Sequence, residues 1–257
     1  MFSRIRIIGW NTFLDVARHK MLVIQFVFLG IAMGLINLFG HFATTPSLEY
    51  RMIQDVGLSV ISLFGFLIAL FIGSTTLRDE IQHKTIYSVL TLPMGRWELY
   101  TGKFAGTLLA TVVNVLLMLI VLMGMLYYKF GVIWSGFQWI ALFMLLEFSV
   151  MTSMVLLFSL ANSLITCFSL SFLFVLLASM AEHVKHLVLE TGIPLLGYIT
   201  DILYWFIPNL GNFNIKYKIL KDLTISYSFA FSALGYAIFY LLFLLALGSY
   251  VLKQKDL

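Results

Sequence analysis

The chain has 257 residues, 61% hydrophobic and 11% charged, with a formal net charge of +4. A soluble domain of this length carries about a quarter charged residues, so the composition excludes a water-soluble enzyme or binding module and specifies a polytopic helical membrane protein. The cations stand at the ends of apolar runs, which excludes a nucleic-acid patch, and the single cysteine, Cys167, excludes a disulfide framework within the chain.

The lead, residues 1–20, carries Arg4, Arg6, Arg18 and Lys20 among Ile5, Ile7, Ile8, Trp10, Phe13 and Leu14. It reads as a basic amphipathic helix able to lie in the membrane interface before the chain turns inward. The apolar run behind it is too long for a cleavable leader, and no small-residue cleavage site follows it. A first span is expected over Met21–Gly40 and a second over Val56–Leu77. Uncharged runs of about 20 residues suffice to cross a bilayer as helices, and they are too unbroken for barrel strands.

A charged island follows, Arg78 to Lys103, reading RDEIQHKTIYSVLTLPMGRWELYTGK. Its pattern is helical: Ile81, Thr85 and Val89, with Ile86 and Leu90, recur on one side, while Arg78, Asp79, Glu80, His83 and Lys84 lie mostly elsewhere. Glu80 precedes Lys84 by four residues, the favourable order for an ion pair on one face. Pro93 ends the helix, giving it the range 78–92. A structured amphipathic element between two spans is suited to touching another protein; the plain alternative is a solvated connector.

A third span runs from Lys103 to Tyr128 and a fourth from Val132 to Ser159, interrupted only by Glu147. After a turn at Ala161, Asn162 and Ser163, a fifth continues to Ala181. Residues 182–227 contain an apolar stretch broken by Pro194, Asp201 and Pro208, the pattern of short re-entrant or interfacial helices. The sixth span covers Ser228–Leu252 and leads into KQKDL. Lysine and arginine favour one side: Arg4, Arg6, Arg18, Lys20, Arg78, Lys84, Arg96, Lys103, Lys253 and Lys255 against Arg51, Lys129, Lys185, Lys216, Lys218 and Lys221. The bias predicts both termini and the island in the cytoplasm.

No nucleotide, metal or catalytic site is expected. The glycines of Gly95–Phe104 are too far apart for a phosphate loop, and Phe104 replaces the hydroxyl residue that would hold magnesium. His183, His186 and Glu190 share a helical face but lack a fourth ligand, which favours a surface cluster. Glu147 is costly at mid-bilayer and must face the bundle or be neutral. It reads either as a cavity or coupling residue, or as a protonated carboxyl bonded to a neighbour such as Asn114. Gly30-xxx-Gly34 and Gly102-xxx-Gly106 permit close helix approach.

Glu80, Lys84-Thr85, Leu90, Pro93, Arg96 and Gly102-Lys103, with Ile207–Ile215 (IPNLGNFNI) and KQKDL, follow in an order that resembles permease subunits of the ABC-2 superfamily, the membrane halves of type V ABC exporters. Within it, the chain looks most like the branch of nitrous-oxide-reductase maturation and sodium-efflux permeases. The resemblance implies one all-α domain over 1–257: six transmembrane helices, an elbow helix (1–20), a coupling helix (78–92) and an extracytoplasmic segment (182–227). It implies that Arg78, Asp79, Glu80, Ile81, Lys84, Thr85 and Arg96 contact a separate ABC ATPase, which alone holds ATP and magnesium, so that this chain is not itself an enzyme. It further implies a second copy or a homologous permease as partner, with Gly30 and Gly34 at the seam; packing within one subunit is the other reading of these glycines. Location in the inner membrane follows from the same resemblance. A mechanotransmitter acting on a periplasmic partner and a stand-alone secondary transporter remain alternatives, and the substrate is not indicated.

Overall fold

The structure, a computed structural model, describes residues 2–18, 22–40, 44–82, 95–132, 134, 136–160, 164–191, 208–216 and 226–254. These form α1 (Phe2–Val16), α2 (Leu22–Gly40), α3 (Pro46–Gln82), α4 (Arg96–Phe130), α5 (Phe137–Phe158), α6 (Leu164–Thr191), a 3₁₀ turn (Leu210–Phe213) and α7 (Tyr227–Gln254). Every regular element among the described residues is helical, as a membrane interior without water to bond the backbone requires.

Among the described residues, four helices are long and apolar enough to cross a membrane, over Pro46–Leu77, Arg96–Phe130, Phe137–Phe158 and Tyr227–Gln254. The expected first and fifth spans are also helical, as α2 and α6, with apolar helical stretches of Gln25–Leu35 and Ile165–Met180 among the described residues.

Several helices outrun the apolar segments that announce them. The second span was expected from Val56, yet α3 starts ten residues earlier, at Pro46. Thr45 caps it: its carbonyl accepts from Glu49 N–H at 3.0 Å and its hydroxyl from Leu48 N–H at 3.4 Å. Pro46 then stands in the first helical position, where its missing N–H costs nothing. At the other end α3 continues through Arg78–Gln82 without a break. The expected 78–92 helix therefore shares its first five residues with α3, and its remainder, with Lys84 and Thr85, lies outside the described residues. Helix α4 begins at Arg96, ahead of the predicted Lys103, because Leu99 and Tyr100 already bury their side chains. It ends at Gly131, whose φ of 68° and N–H bond to Tyr127 O form a left-handed cap.

Helices α3, α4, α5 and α7 pack around one core, with α2 and α6 against α3 and α1 along α4. Three glycines on α3 bring its neighbours close. A side chain at Gly57 would meet Leu122 of α4, at Gly65 Phe148 of α5, and at Gly73 Val155 of α5. Each step of eight residues turns the face by about 80°, carrying the stripe from α4 to α5.

The helix ends sort into two levels. Leu77, Tyr100, Phe104, Leu156, Leu160 and Leu252 cluster at one, where Arg96 Nη1 also donates to Lys253 O at 3.2 Å. At the other, Lys129 pairs with Glu49, Tyr50 packs on Phe130, Trp139 on Tyr227, and Phe143 stacks on Phe229. Helices α3, α5 and α7 thus run in one direction between the levels and α4 in the other.

Candidate functional site

Between these levels lies a set of polar side chains that the helices must satisfy among themselves. Gln25 of α2 donates Nε2 to Asn114 of α4, to the backbone oxygen at 3.0 Å and to Oδ1 at 3.1 Å. Asn114 Nδ2 donates in turn to Ala110 O. The hydroxyls of Thr111 on α4 and Thr152 on α5 sit 3.1 Å apart, both fully buried. Thr107, Ser149 and Ser153 are buried alongside. Each hydroxyl of this group whose bond is given turns back to a carbonyl one turn earlier, the low-cost solution in an apolar core.

Among the described residues no hydrogen bond joins Glu147 to Asn114, the neighbour named in one of its two readings. Gln25 occupies the Asn114 acceptors, and Glu147 instead faces Lys216, on the far side of the 3₁₀ turn. Helix α3 supplies Asp55 and Ser62, seven residues and two turns apart on one face. Helix α5 supplies Glu147. Lys216 Nζ donates to Ser62 Oγ. Burial lowers the Lys216 pKa below the usual lysine value, while the Glu147 and Asp55 carboxylates oppose that shift. Lysine counted from sequence merely as an outer cation is therefore the counter-charge of the one ionisable residue inside the fourth span.

The segment carrying Lys216 is itself anchored. Asn209 N–H donates to Tyr236 OH of α7 at 2.7 Å, and Asn209 Oδ1 accepts from Gly211 N–H at 3.0 Å. Pro208, Asn209, Leu210, Phe213 and Ile215 are buried. The described part of this segment, residues 208–216, thus lies against the bundle; the rest of 192–225 lies outside the described residues.

Gly30 and Gly34 lie on an exposed face of α2, and a Cβ at either would meet nothing within 4 Å. Among the described residues, nothing in the subunit packs against this pair. Gly102 and Gly106 behave oppositely: a Cβ at Gly102 would strike Ile8, and one at Gly106 the Gly9 carbonyl and Thr12. They seat α1. Lys103, counted from the sequence among the inner cations at the start of the third span, is buried at 7% exposure beside them. Arg78, Asp79, Glu80 and Ile81 occupy the last turns of α3, and Arg96 opens α4. His183, His186 and Glu190 fall on α6, with side chains outside the described residues.

A family model for ABC-2 family transporter proteins matches residues 13–181, more than half of the chain. The chain belongs to the ABC-2 transporter family. No curated protein matches it closely enough to count as a relative. As an ABC-2 transporter it is a multi-pass membrane permease, and the matched region runs from the end of α1 into α6. The match thus includes Asn114, Glu147 and both helices flanking the charged island. Lys216 and α7 lie beyond it.

Proposed function

We propose that this permease is one membrane half of an exporter driven by a separate ATP-hydrolysing subunit. In this reading α2, α3, α4, α5, α6 and α7 are six spans, α1 is the elbow helix, and both termini lie in the cytoplasm with the island. The observation that carries it is the packing at the Arg96 level. Helix α3 leads into the island and α4 leads out of it, while Leu77, Tyr100 and Leu252 join both to α7, as does the Arg96–Lys253 hydrogen bond. A displacement of the island by a closing ATPase would reach three helices together. ATP and magnesium would be held on the partner, since the island has no phosphate loop.

A transporter working alone would be expected to interrupt its helices near mid-membrane to expose backbone groups to its cargo. Here α3, α4, α5 and α7 each form one continuous helix, which favours the ATP-driven reading. The test is reconstitution with a candidate ATPase. The isolated chain should show no hydrolysis, and the pair should hydrolyse ATP and move cargo. Glu80→Ala should weaken the assembly, by the ~2–5 kcal/mol that a truncated partner of a buried charge pair costs, with normal expression of the permease. Ile81→Asp tests the apolar side of the same element. Wild-type assembly and transport in both variants would reject the coupling role, and hydrolysis by the isolated chain would reject the division of labour.

A further inference from the structure

Helix α1 presents three faces to three environments. Ile5, Ile8, Gly9 and Thr12 press onto α4 at Gly102 and Gly106. Arg4, Asn11, Asp15 and Arg18 recur at helical spacing and are exposed, a polar stripe. Ile7 and Trp10, 57% and 54% exposed, take the remaining side.

Arg6 breaks this division. It lies one turn from Trp10 on the apolar side, and nine residues from Asp15, which at 100° per residue is the opposite side of the helix. Among the described residues it has neither an ion pair nor a hydrogen bond. Beside it, between α1 and α4, runs a groove of about 700 Å³ whose lining includes Arg6, Trp10, Asn11, Ala105 and Leu109. That volume is within the ~300–1,000 Å³ range of sites for small molecules. Its level is set by α4: Lys103 is the last charge before the uncharged run Phe104–Tyr128. The groove therefore straddles the boundary between water and hydrocarbon, with an apolar wall inside and a cation at its rim.

One class of molecule has this polarity. A phosphate matches the guanidinium fork, and a hydrocarbon tail matches Ala105 and Leu109, the latter 41% exposed. A protein segment would bring a run of backbone donors and acceptors, against which the lining offers only the Arg6 and Asn11 side chains. We propose that the groove holds one anionic phospholipid, its phosphate on Arg6 and an acyl chain along Ala105 and Leu109. The site requires no ATPase partner and so stands independently of the coupling role.

The experiment is native mass spectrometry of the purified chain released from nanodiscs of equal phosphatidylglycerol and phosphatidylcholine. Wild type should retain one phosphatidylglycerol in preference to phosphatidylcholine. Arg6→Gln should lower that retention about fivefold, the ratio expected for one basic residue at an anionic surface. Arg4→Gln, on the polar stripe, should change it by less than about twofold, and Leu109→Trp should displace the lipid by filling the groove. Photo-activatable phosphatidylglycerol should label the Ala105–Leu109 peptide of the unaltered chain, a readout that needs no variant to fold. Equal retention of the two lipids, equal losses from Arg4→Gln and Arg6→Gln, labelling elsewhere, or cross-linking of a protein segment at Ala105 would each overturn the proposal.

Discussion

Lys216 is held between opposing influences, because burial disfavours its ammonium while Glu147 and Asp55 favour it. Burial prevails, so the folded chain releases this proton at lower pH than the unfolded chain does. Stability should consequently rise as pH climbs from the lowered value towards the ordinary lysine value of about 10.4. Thermal unfolding in mildly alkaline buffers would measure the rise, and Lys216→Met should flatten it. In a double-mutant cycle with Glu147→Gln, the pair should show coupling of roughly 0.5–3 kcal/mol; additive effects would mean that the two charges do not support each other. Tyr100 offers a second residue-scale prediction. Its hydroxyl is buried without a hydrogen-bond partner among the described residues, so Tyr100→Phe should leave stability unchanged or raise it by up to ~1–3 kcal/mol, the cost of an unsatisfied buried group. A clear loss of stability in chemical unfolding would contradict this. Glu147 was conspicuous in the sequence as the single charge in a long apolar run, but its partner was not. Hydropathy identifies a residue that needs a counter-charge and says nothing about which distant segment folds back to supply it.

At the scale of elements, the helices were legible from their apolar runs and their ends were not. Hydropathy stops where charges begin, whereas a helix stops where its backbone loses partners. The Thr45-Pro46 cap and the left-handed Gly131 mark two real ends, and both carry residue types that signal them in the sequence. The close approach permitted by Gly102 and Gly106 was also readable, but the neighbour was not: the helix that enters is α1. Gly106→Val should push α1 off α4, at the ~1–3 kcal/mol typical of overpacking, and increase proteolysis of the lead. Unchanged cleavage and unfolding would show that α1 does not depend on this seat. Gly248 is similarly constrained, because a Cβ there would overlap the Tyr100 ring and hydroxyl.

For the whole molecule, membrane class and family resemblance were apparent from composition and the charged island, while a seam between subunits is a proposal that turns on the open face of α2. Gly30 and Gly34 are open, and Phe26 beside them is 71% exposed. If a second copy covers this face, Gly34→Trp should reduce disulfide or chemical cross-linking between subunits while leaving the monomer's helicity intact. An undiminished dimer would move the seam elsewhere. Cysteines placed at Lys129 and Gln254 should label from opposite sides of the membrane, since the two helix ends lie at opposite levels of the bundle. Helix α3 is far longer than the hydrocarbon layer it crosses. At 1.5 Å per residue its 37 residues extend about 55 Å, against a hydrocarbon layer of about 30 Å. Gln82, at the island, and Ser62, the acceptor of Lys216, are twenty residues apart on this one uninterrupted helix, about 30 Å. Mechanically α3 is a pushrod: its backbone bonds resist stretching, so axial travel at the island must reappear as travel beneath the folded-back segment that Lys216 fastens.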